Sequence, residues 1–262
     1  LGPRETAGGL LGVAFHEIAH LAHAMAPRRA EMERTFLDQR ERGVLAGALW
    51  DEAVATAFGN GLAAEKFDPQ FRKDHVLYSD PWVDRLGRAL HREWSEGRAV
   101  RVGAELARHL VELTDREFTD TERPMAQHLW YVTVHAPDRT PAREALGGVP
   151  YRSASRMTPI DDALPAGEEL PPWAPRVVLI TEGELASRPR LLERLGLKRA
   201  DVGRALRATG AVVHRHDDAD GSLLLVVVAR SRELLGAAAA AFARMPRMVT
   251  TGCTPLRMQR SP

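Results

Sequence analysis

Apolar positions run almost unbroken through residues 10–26, LLGVAFHEIAHLAHAMA. The run is too long for a strand and suits a helix. It predicts a helix from about Thr6 to Ala26, stopped by Pro27, which lacks the amide hydrogen that a further turn needs. A charged helix follows at about 28–42, ending near Gly43, and a third spans about 44–66. Asp80 and Pro81 read as the N-cap and first position of a fourth. There Trp82, Leu86, Leu90 and Trp94 recur every four residues as one apolar stripe. Two further helices are predicted at about 102–118 and 123–135.

Periodicity fades at about residue 137, where Pro, Gly and Ser become frequent. From Arg176 the apolar residues come in strand-length blocks. RVVLIT is one strand, and GAVVHRH and SLLLVVVA are two more around the turn DDADG. A helix broken at Gly196 separates the first from the second. A helix with Ser231 as N-cap follows the third, and RMVTTGC is a last strand. The predicted order βαββαβ matches a split-βαβ, ferredoxin-like arrangement. The expected fold class is α+β: a mostly helical domain at 1–145, a Pro/Gly-rich linker at 146–174 and a small α/β domain at 175–262.

Composition narrows the function classes. The 262 residues hold 44% hydrophobic and 27% charged positions with a formal net charge of +1, ordinary for a globular protein. Arginines alternate with acids, so no nucleic-acid partner is expected. One cysteine, Cys253, allows neither an internal disulfide nor a cysteine-based zinc site. No apolar run is long enough for a membrane span. Cys253, Ser153 and Ser155 have no base partner legible in the sequence, so nucleophilic catalysis finds no support there.

The histidines in the first helix carry the chemistry. Residues four apart on a helix differ by about 40° in direction. His16 and His20 therefore project side by side, and two imidazoles so placed can both reach one zinc ion. Glu17 follows the first of them. It can stand beside the ion as general base toward a water that the ion activates. This is the H-E-x-x-H pattern, here on the helix that the mechanism requires. Its spacers, Ile18 and Ala19, are apolar, as expected of a helix buried beneath a cleft.

A catalytic zinc ordinarily has three protein ligands and one open position. His23 lies seven residues after His16, a turn too far along the helix, and is expected to be a bystander. The glycine and third histidine of the longer metzincin motif are replaced by His23 and Ala26. Glu52, 32 residues after His20 in LWDEAVATAFGNG, is the better candidate. Ala55, Thr56 and Gly59 share its face and are small enough to admit a close neighbour. The carboxylate also sits among apolar residues, where it needs a partner. Asp51 is the alternative, pointing about 100° away.

His16-Glu17-x-x-His20 followed by Glu52 in DEAVATAFGNG resembles the gluzincin class of zinc metallopeptidases, the broad thermolysin-like clan, over residues 10–61. The resemblance implies a zincin-like helical domain with Zn2+ held by His16, His20 and Glu52. It further implies Glu17 as general base and peptide-bond hydrolysis on a peptide or protein substrate. It also implies a small sheet before the motif helix. Only 15 residues precede His16, so either that part lies in sequence upstream of Leu1 or the cleft is built differently. A removed N-terminal segment would suit a secreted or periplasmic protein. An oxyanion donor is also needed. Tyr78 is the first candidate, with His75 near it and Tyr131 with His128 as the competing pair. The alternative function is a binding or structural protein that holds zinc without cleaving.

Overall fold

A computed structural model describes residues 7–119 (except 73 and 99), 125–129, 131–136, 156–161, 164, 170–250 and 252–258. The fold class is α+β. The chain divides into two compact units, Leu1–Thr119 and Asp120–Pro262. The division falls well before residue 145, where the sequence pattern put it.

The first unit is helical: α1 Ala7–Ala24, α2 Arg29–Asp38, α3 Arg40–Ala55, α4 Ala64–Phe67, α5 Pro81–Ser95 and α6 Ala104–Glu117. Helix α3 is buried from Gly43 to Trp50 and again from Ala53 to Ala55. Such all-round burial marks a core helix, and α1, α2, α5 and α6 all pack against it. It runs into a π-helical stretch, Thr56–Ala63, and then into α4. The third predicted helix is thus one body with a wider turn in it. Two glycines of that stretch allow tight packing. A β-carbon on Gly59 would lie 2.3 Å from the His16 backbone nitrogen, and one on Gly61 would lie 2.7 Å from the His91 ring of α5.

Helix α5 starts as predicted. The Asp80 carboxylate accepts from the backbone amides of Trp82 and Val83 at 2.9 and 3.0 Å, with Pro81 at the first helical position. Its buried Glu93 accepts from His109 and Arg116 of α6, each at 2.6 Å, which fastens the two helices.

The second unit is built on a mixed sheet in the order β2-β1-β3-β5-β4-β6. The strands are β1 Thr133–His135, β2 Arg156–Thr158, β3 Arg176–Thr181, β4 Ala211–Asp217, β5 Leu223–Ala229 and β6 Gly252–Pro255. The helices are α7 Met125–His128, α8 Glu182–Ala186, α9 Pro189–Arg194, α10 Arg199–Thr209 and α11 Arg232–Ala243. Strands β3 and β5 are buried at every position, as parallel neighbours inside a layered fold must be. Val178 and Ile180 of β3 and Leu224, Val226 and Val228 of β5 share one core with Leu185, Leu191, Val202 and Leu206 of α8, α9 and α10. Helix α11 packs against β3, β4 and β5.

Three expectations need correction. The predicted helix at 123–135 is a single turn, α7, followed by strand β1; residues 123, 124 and 130 lie outside the described residues. Part of the predicted linker, 156–158, is strand β2, paired in parallel with β1. From β3 onward the element order is βαββαβ as expected, but the strand order is not ferredoxin-like. That arrangement seats the last strand beside the first. Here β6 pairs with β4, because β1 already occupies the free side of β3.

Ser231 precedes α11 but makes no side-chain cap. Within that helix Gly236 faces open space, with nothing within 4 Å of the place a β-carbon would take. Gly236→Ala is expected to raise unfolding stability by about 0.5–1 kcal/mol, read as a higher urea midpoint at unchanged slope.

Candidate metal centre

The site forms where α1 crosses α3 and the π-helical stretch. Gly12 and Gly59 make the crossing close. A β-carbon on Gly12 would lie 3.0 Å from the Gly59 carbonyl oxygen, and one on Gly59 would meet Gly12 and His16 backbone atoms. At that separation side chains from the two helices reach each other directly.

Three predicted residues converge there. His16 Nε2 and His20 Nε2 are 3.1 Å apart, and Glu52 Oε2 lies 3.6 Å from the first and 3.8 Å from the second. Zinc holds nitrogen and oxygen ligands at 2.0–2.2 Å in a tetrahedron, which separates the donors by about 3.3–3.6 Å. The triangle's edges, 3.1, 3.6 and 3.8 Å, bracket that separation. His16 is buried and the other two residues are partly exposed, while the Glu52 Oε2 atom itself is buried. The donor set, two imidazoles and a carboxylate, fits zinc.

Behind the triangle, Asp51 bridges two histidines. One carboxylate oxygen is 3.1 Å from His20 Nδ1 and the other 2.6 Å from His23 Nδ1. Burial opposes ionisation of Asp51, but the hydrogen bonds from His20 and His23 outweigh it and hold the carboxyl well below the usual carboxylate range. The hydrogen bond to Asp51 is in turn the main cause of a raised His20 pKa. Burial pulls the other way, and the charges of Asp51, Glu52 and Glu17 add to the rise.

Glu17 is exposed on α1, close enough to act electrostatically on His20. Ala19 is buried but Ile18 is 51% exposed, against the expectation that both spacers would be covered. Ile18 belongs to an outward row with Leu10, Leu21 and Met25, so this face of α1 is apolar and open.

Tyr78 lies parallel to the His16 ring, with centroids 5.8 Å apart and planes 11° apart. The loop that carries it is fixed from both sides. Asp84 of α5 accepts from the Leu77 and Tyr78 amides at 2.6 and 3.1 Å. Asn60 of the π-helical stretch donates to the Leu77 carbonyl at 2.9 Å. His75 belongs to the same loop, three residues earlier. The competing pair, Tyr131 and His128, belongs to the second unit, where Tyr131 packs edge-on against Trp173.

Cys253 does have a partner that sequence reading missed. Its Sγ is 3.4 Å from His214 Nδ1 across the β4–β6 pair, and His214 Nε2 donates to the Leu195 carbonyl at 3.1 Å. Burial raises the thiol pKa, with Asp201 adding to it, and burial lowers that of His214. Both shifts favour the neutral pair, which is the opposite of what an activated thiolate requires. Ser153 and Ser155 lie outside the described residues.

Comparisons with protein-family models, with curated proteins and with solved structures each return no match. Among the described residues no helix is long and apolar enough to cross a membrane.

Proposed function

We propose that this protein is a zinc-dependent hydrolase of peptide bonds whose helical unit is zincin-like. The observation that carries the reading is the triangle of His16 Nε2, His20 Nε2 and Glu52 Oε2, with edges of 3.1, 3.6 and 3.8 Å. These three residues would hold the ion. When bound, zinc lowers the pKa of a coordinated water toward 7 and polarises a carbonyl.

The remaining steps fall to side chains. Glu17 follows His16 on the same helix and is open to solvent. It takes the proton from the attacking water and returns it to the leaving amine. The Tyr78 phenol, held beside His16 by the Asp84 and Asn60 hydrogen bonds, donates to the oxyanion as charge develops. The apolar row Leu10, Ile18, Leu21 and Met25 flanks Glu17 on α1 and suits substrate side chains of like character.

The test combines metal analysis with a mixed peptide library. Wild-type protein purified without added metal is expected to carry one zinc per chain and to cleave peptides. His16→Ala, His20→Ala and Glu52→Ala are each expected to retain far less than one equivalent. A metal-free wild type would sink the reading. One zinc per chain without turnover on any peptide would replace it with the non-catalytic zinc protein.

A further inference from the structure

We infer that Asp51 is a positioning residue of this centre, which aims His20 at the ion and is not itself a ligand. The inference rests on the zinc reading above and adds to it the origin of the His20 ring orientation.

Distance separates two kinds of donor group here. Asp51, His20 and His23 form a second group of donor atoms near one another. Yet His23 Nδ1 and Asp51 Oδ1 are only 2.6 Å apart. Two ligands of one zinc stand about 3.3–3.6 Å apart. A separation this short is that of a charge-assisted hydrogen bond. The two groups in the site are therefore of different kinds. The donors of the His16–His20–Glu52 triangle are all at least 3.1 Å apart, whereas His23 and Asp51 stand at the 2.6 Å of donor and acceptor.

The proton on His20 points the same way. A neutral imidazole carries one N–H and one free lone pair. The Asp51 carboxylate, 3.1 Å from Nδ1, draws the N–H to that nitrogen, which leaves the Nε2 lone pair on the side of His16 and Glu52. A metal-binding histidine typically has such an acceptor on its other nitrogen. His16 is held differently. Its buried Nδ1 has no hydrogen-bond partner among the described residues, and its ring lies against Tyr78. Asp51 thus acts on only one of the two imidazoles.

Asp51 is itself anchored. Its second oxygen is occupied by His23, whose ring packs on Trp50 at 4.9 Å between centroids. Asp51 comes from α3, and His20 and His23 come from successive turns of α1. The bridge therefore fixes the rotation of one helix against the other as well as the ring. Asparagine cannot replace it, because an amide offers one accepting oxygen where the carboxylate offers two.

The test is zinc affinity of the full chain, by competition with a chromophoric chelator, with the visible spectrum of the cobalt form as a second readout. Asp51→Asn is expected to bind one metal at saturation, with affinity reduced about 10–100-fold and an altered cobalt band. His23→Gln leaves Asp51 on His20 and is expected to lose less. An Asp51→Asn protein with wild-type affinity and spectrum overturns the inference. So does one that takes up no metal at saturation, as Glu52→Ala is expected to, because Asp51 would then be a ligand. If the Asn protein does not fold, Asp51→Ser is read in its place, and wild-type affinity and spectrum in that protein overturn the inference. A wild type that binds no zinc removes the zinc reading and this inference together, whereas zinc binding that ignores Asp51 removes this one alone.

Discussion

Glu17→Gln is expected to reduce peptide hydrolysis by about 10²–10⁴-fold, the range of a lost general base, while zinc content stays at one per chain. The substitution keeps the shape of the side chain and removes its charge and its ability to take a proton. Glu17 is exposed on α1, so the amide strands no buried group and stability should change by less than about 0.5 kcal/mol. Glu17 also contributes a negative charge near His20. Its loss weakens that field slightly, yet the main stabiliser of His20 is Asp51, which remains. Rate and metal content should therefore separate cleanly. Hydrolysis that survives in the Gln protein would sink the assignment of Glu17, and loss of zinc would make it a ligand.

Gly59→Ala is expected to cost about 3 kcal/mol of stability and most of the zinc affinity. The added carbon would lie 2.3 Å from the His16 nitrogen, 2.5 Å from the Gly12 oxygen and 2.6 Å from the His16 α-carbon. All three are backbone atoms, so no rotamer change can relieve the clash. The π-helical stretch must move away from α1, and Glu52, on the helix that leads into it, is displaced from His16. Urea unfolding and chelator competition read the two effects. A midpoint within experimental error of wild type would show that the crossing is looser than these distances imply. Gly236→Ala, the same change at an open position, is the control.

Local chemistry made much of this legible in the sequence. Asp80-Pro81 marks the start of α5 because cap and first-turn proline act within four residues. RVVLIT coincides with β3 because six buried positions in a row leave few other structures. Strands β1 and β2 were not legible for the opposite reason. Each has three residues, and their pairing with each other joins segments more than twenty residues apart. Nothing in the local pattern of a Pro-rich segment requires such a partner.

The site divides in the same way. His16 and His20 follow from helical spacing, and Glu52 from the small residues beside it. The role of Asp51 depends on how α1 is rotated against α3, so spacing alone left it as a rival ligand. The contact of Cys253 with His214 depends on strand register across 39 residues. The outward turn of Ile18 shows that an apolar spacer next to a ligand is not necessarily buried.

The helix crossing has one more consequence. His16 and His20 on one helix and Glu52 on the other are separated by 36 and 32 positions along the chain. An ion shared among them would close that loop much as a disulfide does, in a chain whose single cysteine cannot form an internal one. Unlike a disulfide, such a tie is set by mass action: its contribution grows as RT ln(1 + [metal]/Kd), about 2.7 kcal/mol at a hundred times Kd. The firmness of the helical unit would then follow the free zinc around it, and a chelator would act on the fold as a reductant acts on a disulfide-bonded protein.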